Sequence, residues 1–142
     1  MQTDYTHSKT APVLVCFIRH RDKFLLLKRS DKVLGYKNLW SSLAAFIDDE
    51  KTIENKIAEE IQEELGLEKE DIKRIVKGDV YTFKDEDLGR DWIRHLCLVE
   101  ISNPDIKLDW EHTDYKWITP GEAADFQTTP GFAADLEKVK LL

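Results

Sequence analysis

"AEEIQEELGL", residues 58–67, places four glutamates within six positions and closes on Gly66 and Leu67. Glutamate is a good helix former, so one reading is a solvated helix face; the other is a site that holds a cation. The neighbours favour a helix either way. Ile57, Ala58, Ile61 and Leu65 recur at helical spacing, Thr52 stands where an N-cap belongs, and Gly66 offers the left-handed residue that stops a helix. The spacing predicts a helix from Ile53 to Leu65. At 100° per residue, Glu60 at zero puts Glu64 at about 40° and Glu63 at about 300°. Ile57, Ile61 and Leu65 fill the adjoining arc from about 60° to about 140°. The three carboxylates therefore border the apolar stripe instead of opposing it. Crowded together they repel by roughly a few tenths of a kcal/mol per pair. A divalent cation would remove that cost, and oxygen donors select magnesium, calcium or manganese over zinc.

Outward from this helix the chain reads as an α/β protein. "PVLVCFIR" (12–19) and "KFLLLKRS" (23–30) are short apolar runs that predict a hairpin of largely buried strands. "SLAAFI" (42–47) predicts a third strand, entered from Trp40, and Asp48-Asp49-Glu50 an acidic turn before the helix. Beyond the helix, 75–83 and 92–101 read as strands around an acidic loop, Lys84 to Asp91, and 114–118 as another strand. Residues 120–126 and 130–142 each open on Pro-Gly and read as helices. This order argues for a mixed β-sheet sandwiched by helices.

The whole chain, 1–142, suits one domain, with 1–10 read as a flexible N-terminal tail. Its formal net charge is −7, which argues against nucleic acid and anionic membranes as partners. An acidic protein acting on a phosphate needs a cation between the two. No apolar run approaches the roughly 20 residues of a membrane span. "MQTDYTHSKT" lacks the apolar stretch of a signal peptide, so a cytoplasmic protein is expected. Cys16 and Cys97 lie in apolar runs and are expected as reduced core residues.

Glu60-Ile61-Gln62-Glu63-Glu64-Leu65-Gly66-Leu67 resembles the second half of the Nudix box, G-x5-E-x7-R-E-U-x-E-E-x-G-U, where U is a bulky aliphatic residue. "FLLLKRS" followed by "LWSSLAAFID" is similar to the segment preceding the box in Nudix proteins. "WEHTDYKWITPGEA" (110–123) resembles the late segment of the superfamily's diadenosine polyphosphate and pterin triphosphate hydrolases. The resemblance covers roughly residues 11–140. It implies a Nudix α/β/α sandwich and magnesium-dependent hydrolysis, with manganese as a substitute ion. The implied substrate is a nucleoside diphosphate-linked compound or nucleoside polyphosphate. It implies that Glu60, Glu63 and Glu64 bind the metal, with the carbonyl of Ala45 as a further ligand. Glu60, Glu63 and Glu111 are the implied catalytic residues, Arg29 and Trp40 the implied substrate contacts. A homodimer stays open.

Three box positions depart from the pattern. Ala45 stands at the glycine, Lys51 at the first glutamate and Glu59 at the arginine. The last two read as a charge-swapped pair, without the bidentate fork of arginine. Glu111 reads as a metal ligand, a general base or a solvated turn residue, and Glu86 as loop charge or a residue reaching the site. Arg29 reads as a phosphate contact or a surface ion pair. Trp40, Tyr81, Trp92 and Trp117 stack on a nucleobase or fill the core, and His95 and His112 read as structural. Two other classes remain open. A binding module that senses a nucleotide without cleaving it fits the altered box, and an isoprenyl diphosphate isomerase would need a cysteine acid in the pocket.

Overall fold

The computed structural model describes residues 2–142. In chain order its strands and helices are β1 (Thr10–His20), β2 (Lys23–Arg29), β3 (Trp40–Ser41), β4 (Leu43–Phe46), α1 (Ile53–Leu65), β5 (Ile72–Asp85), β6 (Arg90–Ile101), β7 (His112–Ile118) and α2 (Phe132–Val139), with 3-10 turns at Lys69–Asp71 and Pro120–Asp125.

β1 explains the layering. It is buried continuously from Val13 to Ile18 because both faces of the sheet are covered. Leu14, Cys16 and Ile18 enter a core shared with Ile57, Ile61 and Leu65 of α1. Val13, Val15 and Phe17 enter a second core shared with Phe132, Leu136 and Val139 of α2. Ile57, Ile61 and Leu65 are 0% exposed, and each contributes about 1.5–3 kcal/mol on burial. The result is the expected α/β/α sandwich. Its mixed sheet runs β3-β2-β1-β6-β5, with β4 on β1 and β7 on β2. β1 and β6 are parallel from Thr10↔Asp91 to Arg19↔Glu100.

α1 begins and ends where its residues dictate. The Thr52 hydroxyl accepts from the Asn55 N–H, and Gly66 stands at φ 68°. A Cβ on Gly66 would come within 2.8 Å of Lys107 Cβ, so glycine is needed there for space as well as for backbone hand.

Four expectations are corrected. β1 and β2 pair only at Arg19↔Phe24 and His20↔Lys23; the rest of that edge of β1 takes β4. Half of the acidic loop is ladder, because Lys84↔Asp91 and Asp85↔Arg90 continue the β5–β6 pairing toward Gly89 at φ 64°. Residues 120–126 make a 3-10 turn, closed by a Thr119–Glu122 capping box, and no α-helix. β3 is a separate two-residue strand. It pairs Leu27 and Lys28 on one side, while Trp40 exchanges backbone hydrogen bonds with Gln127 and Thr129 on the other. The N-terminal residues lie along the body: Arg90 donates to the carbonyls of Tyr5, Thr6 and Ser8, and the Tyr5 ring stacks on Phe46. None of the helices among the described residues is long and apolar enough to cross a membrane.

Candidate active site

The carboxylate edge of α1 faces a cleft of about 700 Å³, lined also by Arg29, Ala45, Glu111 and His112. At its floor stands Glu64, 3% exposed, with neither carboxylate oxygen hydrogen-bonded to any described residue. The Nδ1 of His112, equally buried, is unpartnered too. Donor atoms of Glu64, Glu111 and His112 lie within 4.8 Å of one another, and so do those of Glu59, Glu60 and Glu63 nearer the surface. β7 begins at His112, so its pairing with β2 at Arg29 carries Glu111 and His112 across to α1. Glu111 is seated by its backbone. Its N–H donates to Asp109 Oδ1 at 3.1 Å, and its carbonyl accepts from the Ser30 N–H at 2.8 Å.

The electrostatics follow from this crowding. Burial, then Glu111, then Glu60 hold the Glu64 carboxyl far above the ordinary carboxylate range. Burial raises Glu63 as well, with Glu60 and Glu59 adding to it. Burial pushes His112 down to about 4, so at neutral pH it is an uncharged imidazole able to ligate. Arg29 is lowered by burial against the pull of Glu111 and Glu64, and its Nε donates to the Gly35 carbonyl at 2.9 Å. A guanidinium thus stands beside the inner carboxylates and lines the same cleft.

Two lysines occupy the outer side. Lys51 Nζ is 2.8 Å from Glu59 Oε2, so the charge-swapped side chains meet, and 2.9 Å from Asp49 Oδ2. Lys56 is 4% exposed, and its ammonium lies 2.9 Å from Asp48 and 3.4 Å from Glu60. Burial alone would lower Lys56, but Asp48, Glu60 and Asp49 outweigh it and hold it at about 12. Because Lys51 serves two acids, Lys51→Glu should lower the melting temperature, and Lys51→Glu with Glu59→Arg should restore it only in part. A double-mutant cycle without coupling would mean that the contact carries no energy.

Not every expected residue reaches the cleft. Ala45 lines it but stays in the β1–β4 ladder, opposite Leu14 and without positive φ, so glycine's freedom is not required there. Trp40 is not at the cleft: its ring packs edge-on against Phe126 at 5.2 Å. Tyr81 donates to Asp135 and Trp117 to the Pro104 carbonyl, both outside the cleft, and Glu86 is exposed away from it. Of the four aromatics only Trp92 lines the cleft, its Nε1 donating to the buried Asp85. Cys16 and Cys97 are free and buried and neither lines the cleft, so no thiol stands there to serve as the isomerase's acid.

Several cleft residues escaped the sequence reading. Trp110, 59% exposed at the mouth, sits one residue before Glu111. Tyr36 donates to Asp85 at 2.5 Å and ties the 30–39 loop to the β5–β6 turn. His112 was expected to be structural only. Lys56 shares the helix arc of Glu60 and Glu63, at about 320°, and that signal was available.

A family model described as the NUDIX domain matches residues 9–139. No curated protein matches the sequence. Among solved structures, a MutT NUDIX hydrolase from Burkholderia pseudomallei superposes with a TM-score of 0.75 at 20% identity, covering 93% of this chain and 99% of that one. A C. elegans Ap4A hydrolase gives 0.70 at 19%, covering 90% and 93%. The NUDIX domain of Shewanella oneidensis NrtR, complexed with ADP ribose, gives 0.75 at 15%, covering 91% and 85%. At such identities the structural likeness is one of fold.

Proposed function

The chain belongs to the NUDIX family and is a pyrophosphohydrolase, and from that premise we propose that it cleaves the phosphoanhydride of a nucleoside diphosphate-linked compound or nucleoside polyphosphate with the help of magnesium. One observation carries the reading. Glu64 is a buried carboxylate with two unpartnered oxygens, facing Glu111 and an unpartnered imidazole nitrogen. Such a group is costly without a cation; its two carboxylates suit magnesium or manganese, and the His112 nitrogen tips the set toward manganese. Glu64, Glu111 and His112 would hold the ion, bordered by Glu60 and Glu63. When bound, it supplies charge neutralisation on the phosphoanhydride oxygens.

The remaining work falls to the chain. Arg29 orients a phosphate against the floor of the cleft. Glu111, seated by Asp109 and Ser30, takes the proton of the attacking water as its oxygen bonds to phosphorus and the anhydride P–O bond breaks. Trp110 offers a face for the nucleobase at the mouth, the role expected of Trp40.

Phosphate release from a panel of nucleoside triphosphates, dinucleoside polyphosphates and nucleoside diphosphate sugars, with magnesium and with chelator, tests the proposal. Turnover on one class, lost with chelator, is expected. Tight binding of a nucleotide without turnover would favour a binding module. In the active protein Glu111→Gln should lower kcat by about 10² to 10⁴. It should also weaken the metal, because Glu111 belongs to the inner set; unaltered kcat would return the role of base to Glu60 or Glu63.

A further inference from the structure

The two carboxylate groups of the site are not equivalent. The inner group, Glu64 with Glu111 and His112, presents unpartnered donors. In the outer group, Glu59, Glu60 and Glu63, ammonium ions already stand against two of the acids, Glu59 and Glu60. Lys56 projects from α1 one turn before Glu60 and is 4% exposed, so it does not swing out into water as a surface lysine does. Its Nζ lies 3.4 Å from Glu60 Oε1 and 3.8 Å from Glu59 Oε1, with Asp48 at 2.9 Å and Asp49 at 3.7 Å holding it from the other side. Lys51 closes on Glu59 from the loop at 2.8 Å.

Resting on the metal-dependent reading above, we infer that Lys56 is a built-in cation of the outer carboxylates and limits the protein to one divalent ion, held at Glu64, Glu111 and His112. An ion bridging Glu59 and Glu60 would need their oxygens at about 2.1 Å. It would then share those oxygens with a fixed ammonium, and the repulsion between the two cations acts in a partly buried, weakly screened place. The inner group has Arg29 as its neighbouring cation, but the guanidinium forms no ion pair with Glu64 or Glu111, and its Nε is taken by the Gly35 carbonyl. The open oxygens of Glu64 and the imidazole nitrogen of His112 therefore still face one another. Lys56 is thus a positioning residue: it fixes Glu59 and Glu60 without a metal and directs the ion inward.

The test counts manganese ions bound per chain, reading free manganese by electron paramagnetic resonance during titration. Three proteins are compared: the parent, Lys56→Met and Lys56→Arg. The parent should bind one ion, the methionine variant two, and the arginine variant, which keeps the charge, one. Two ions in the parent would overturn the inference while leaving metal-dependent hydrolysis intact. No ion in the parent would overturn that reading and this inference together. A folded methionine variant that still binds one ion, or an arginine variant that binds two, would show that the lysine charge does not set the number. The parent's count decides even if the methionine variant fails to fold.

Discussion

Glu64→Gln is expected to abolish divalent-ion binding and nearly all turnover, and yet to make the metal-free protein more stable. The first effect follows from its place at the cleft floor with two unpartnered oxygens. A metal contributes several kcal/mol of charge stabilisation in the transition state, which at about 1.4 kcal/mol per factor of ten is a loss of about 10² to 10⁴ in kcat. The second follows from the proton. Burial, Glu111 and Glu60 raise the folded pKa of Glu64 far above its ordinary 4.5. The folded state therefore keeps a proton that the unfolded chain releases. Stability tied to this group is fully present below pH 4.5 and is lost as pH rises toward the folded pKa, by about 1.4 kcal/mol per pH unit. Glutamine has no proton to release. In chelator, the melting temperature of Glu64→Gln should exceed the parent's, by a margin that widens from about pH 5 to about pH 8. Magnesium should reverse the order, because only the parent gains from ligand binding. Thermal scans with chelator and with magnesium at two pH values check all of this. A variant that melts with the parent under every condition would return Glu64 to an inert role.

The largest loss of stability is expected from Arg94→Met. Asp135 of α2 is 0% exposed and is satisfied by the Arg94 guanidinium of β6 and the Tyr81 hydroxyl of β5. Removing the arginine leaves a buried carboxylate without its countercharge, at a cost of about 3–5 kcal/mol. For a chain of this size that is a fall in melting temperature of about 10 °C. Arg94→Met with Asp135→Leu should recover most of the loss, since an apolar pair of similar volume needs no countercharge. Denaturant unfolding of the three proteins checks this. A single variant within about 1 kcal/mol of the parent would mean that water or Tyr81 compensates the aspartate.

What the sequence disclosed and what it hid divide along the range of the interactions. α1 was legible to the residue because its determinants are local: the Thr52 cap, the stripe of Ile57, Ile61 and Leu65, and the stop at Gly66. β1 and β6 were legible as apolar runs, since strands covered on both faces need no alternation. The hidden parts depend on distant partners. β3 exists because Lys28 and Gln127 flank Trp40, and neither is near it in sequence. The same packing on Phe126 takes Trp40 out of the cleft, while Trp110 enters it through the loop that β7 draws toward β2. In the site, the glutamates were visible from their spacing and their resemblance to the Nudix box. Lys56 was overlooked because a lysine on an acidic helix reads as a solvated salt bridge; its 4% exposure is a tertiary fact.

The parallel pairing of β1 with β6 has a consequence for synthesis. Thr10 and Asp91, which open that ladder, are 81 positions apart. At about 5–20 residues per second the strand at the centre of the sheet waits several seconds for its neighbour to leave the ribosome. During that interval the apolar run from Val13 to Ile18 has α1 for one face but only β2 and β4 beside it in the sheet, and β4 joins it over just Val13↔Phe46 to Cys16↔Leu43. The nascent chain thus carries a sticky, half-paired ribbon for most of its elongation, and closure of the sheet is a late, nonlocal event that slows folding. The acidic excess of the chain counters this hazard, because like-charged nascent chains repel one another before their strands can pair in trans.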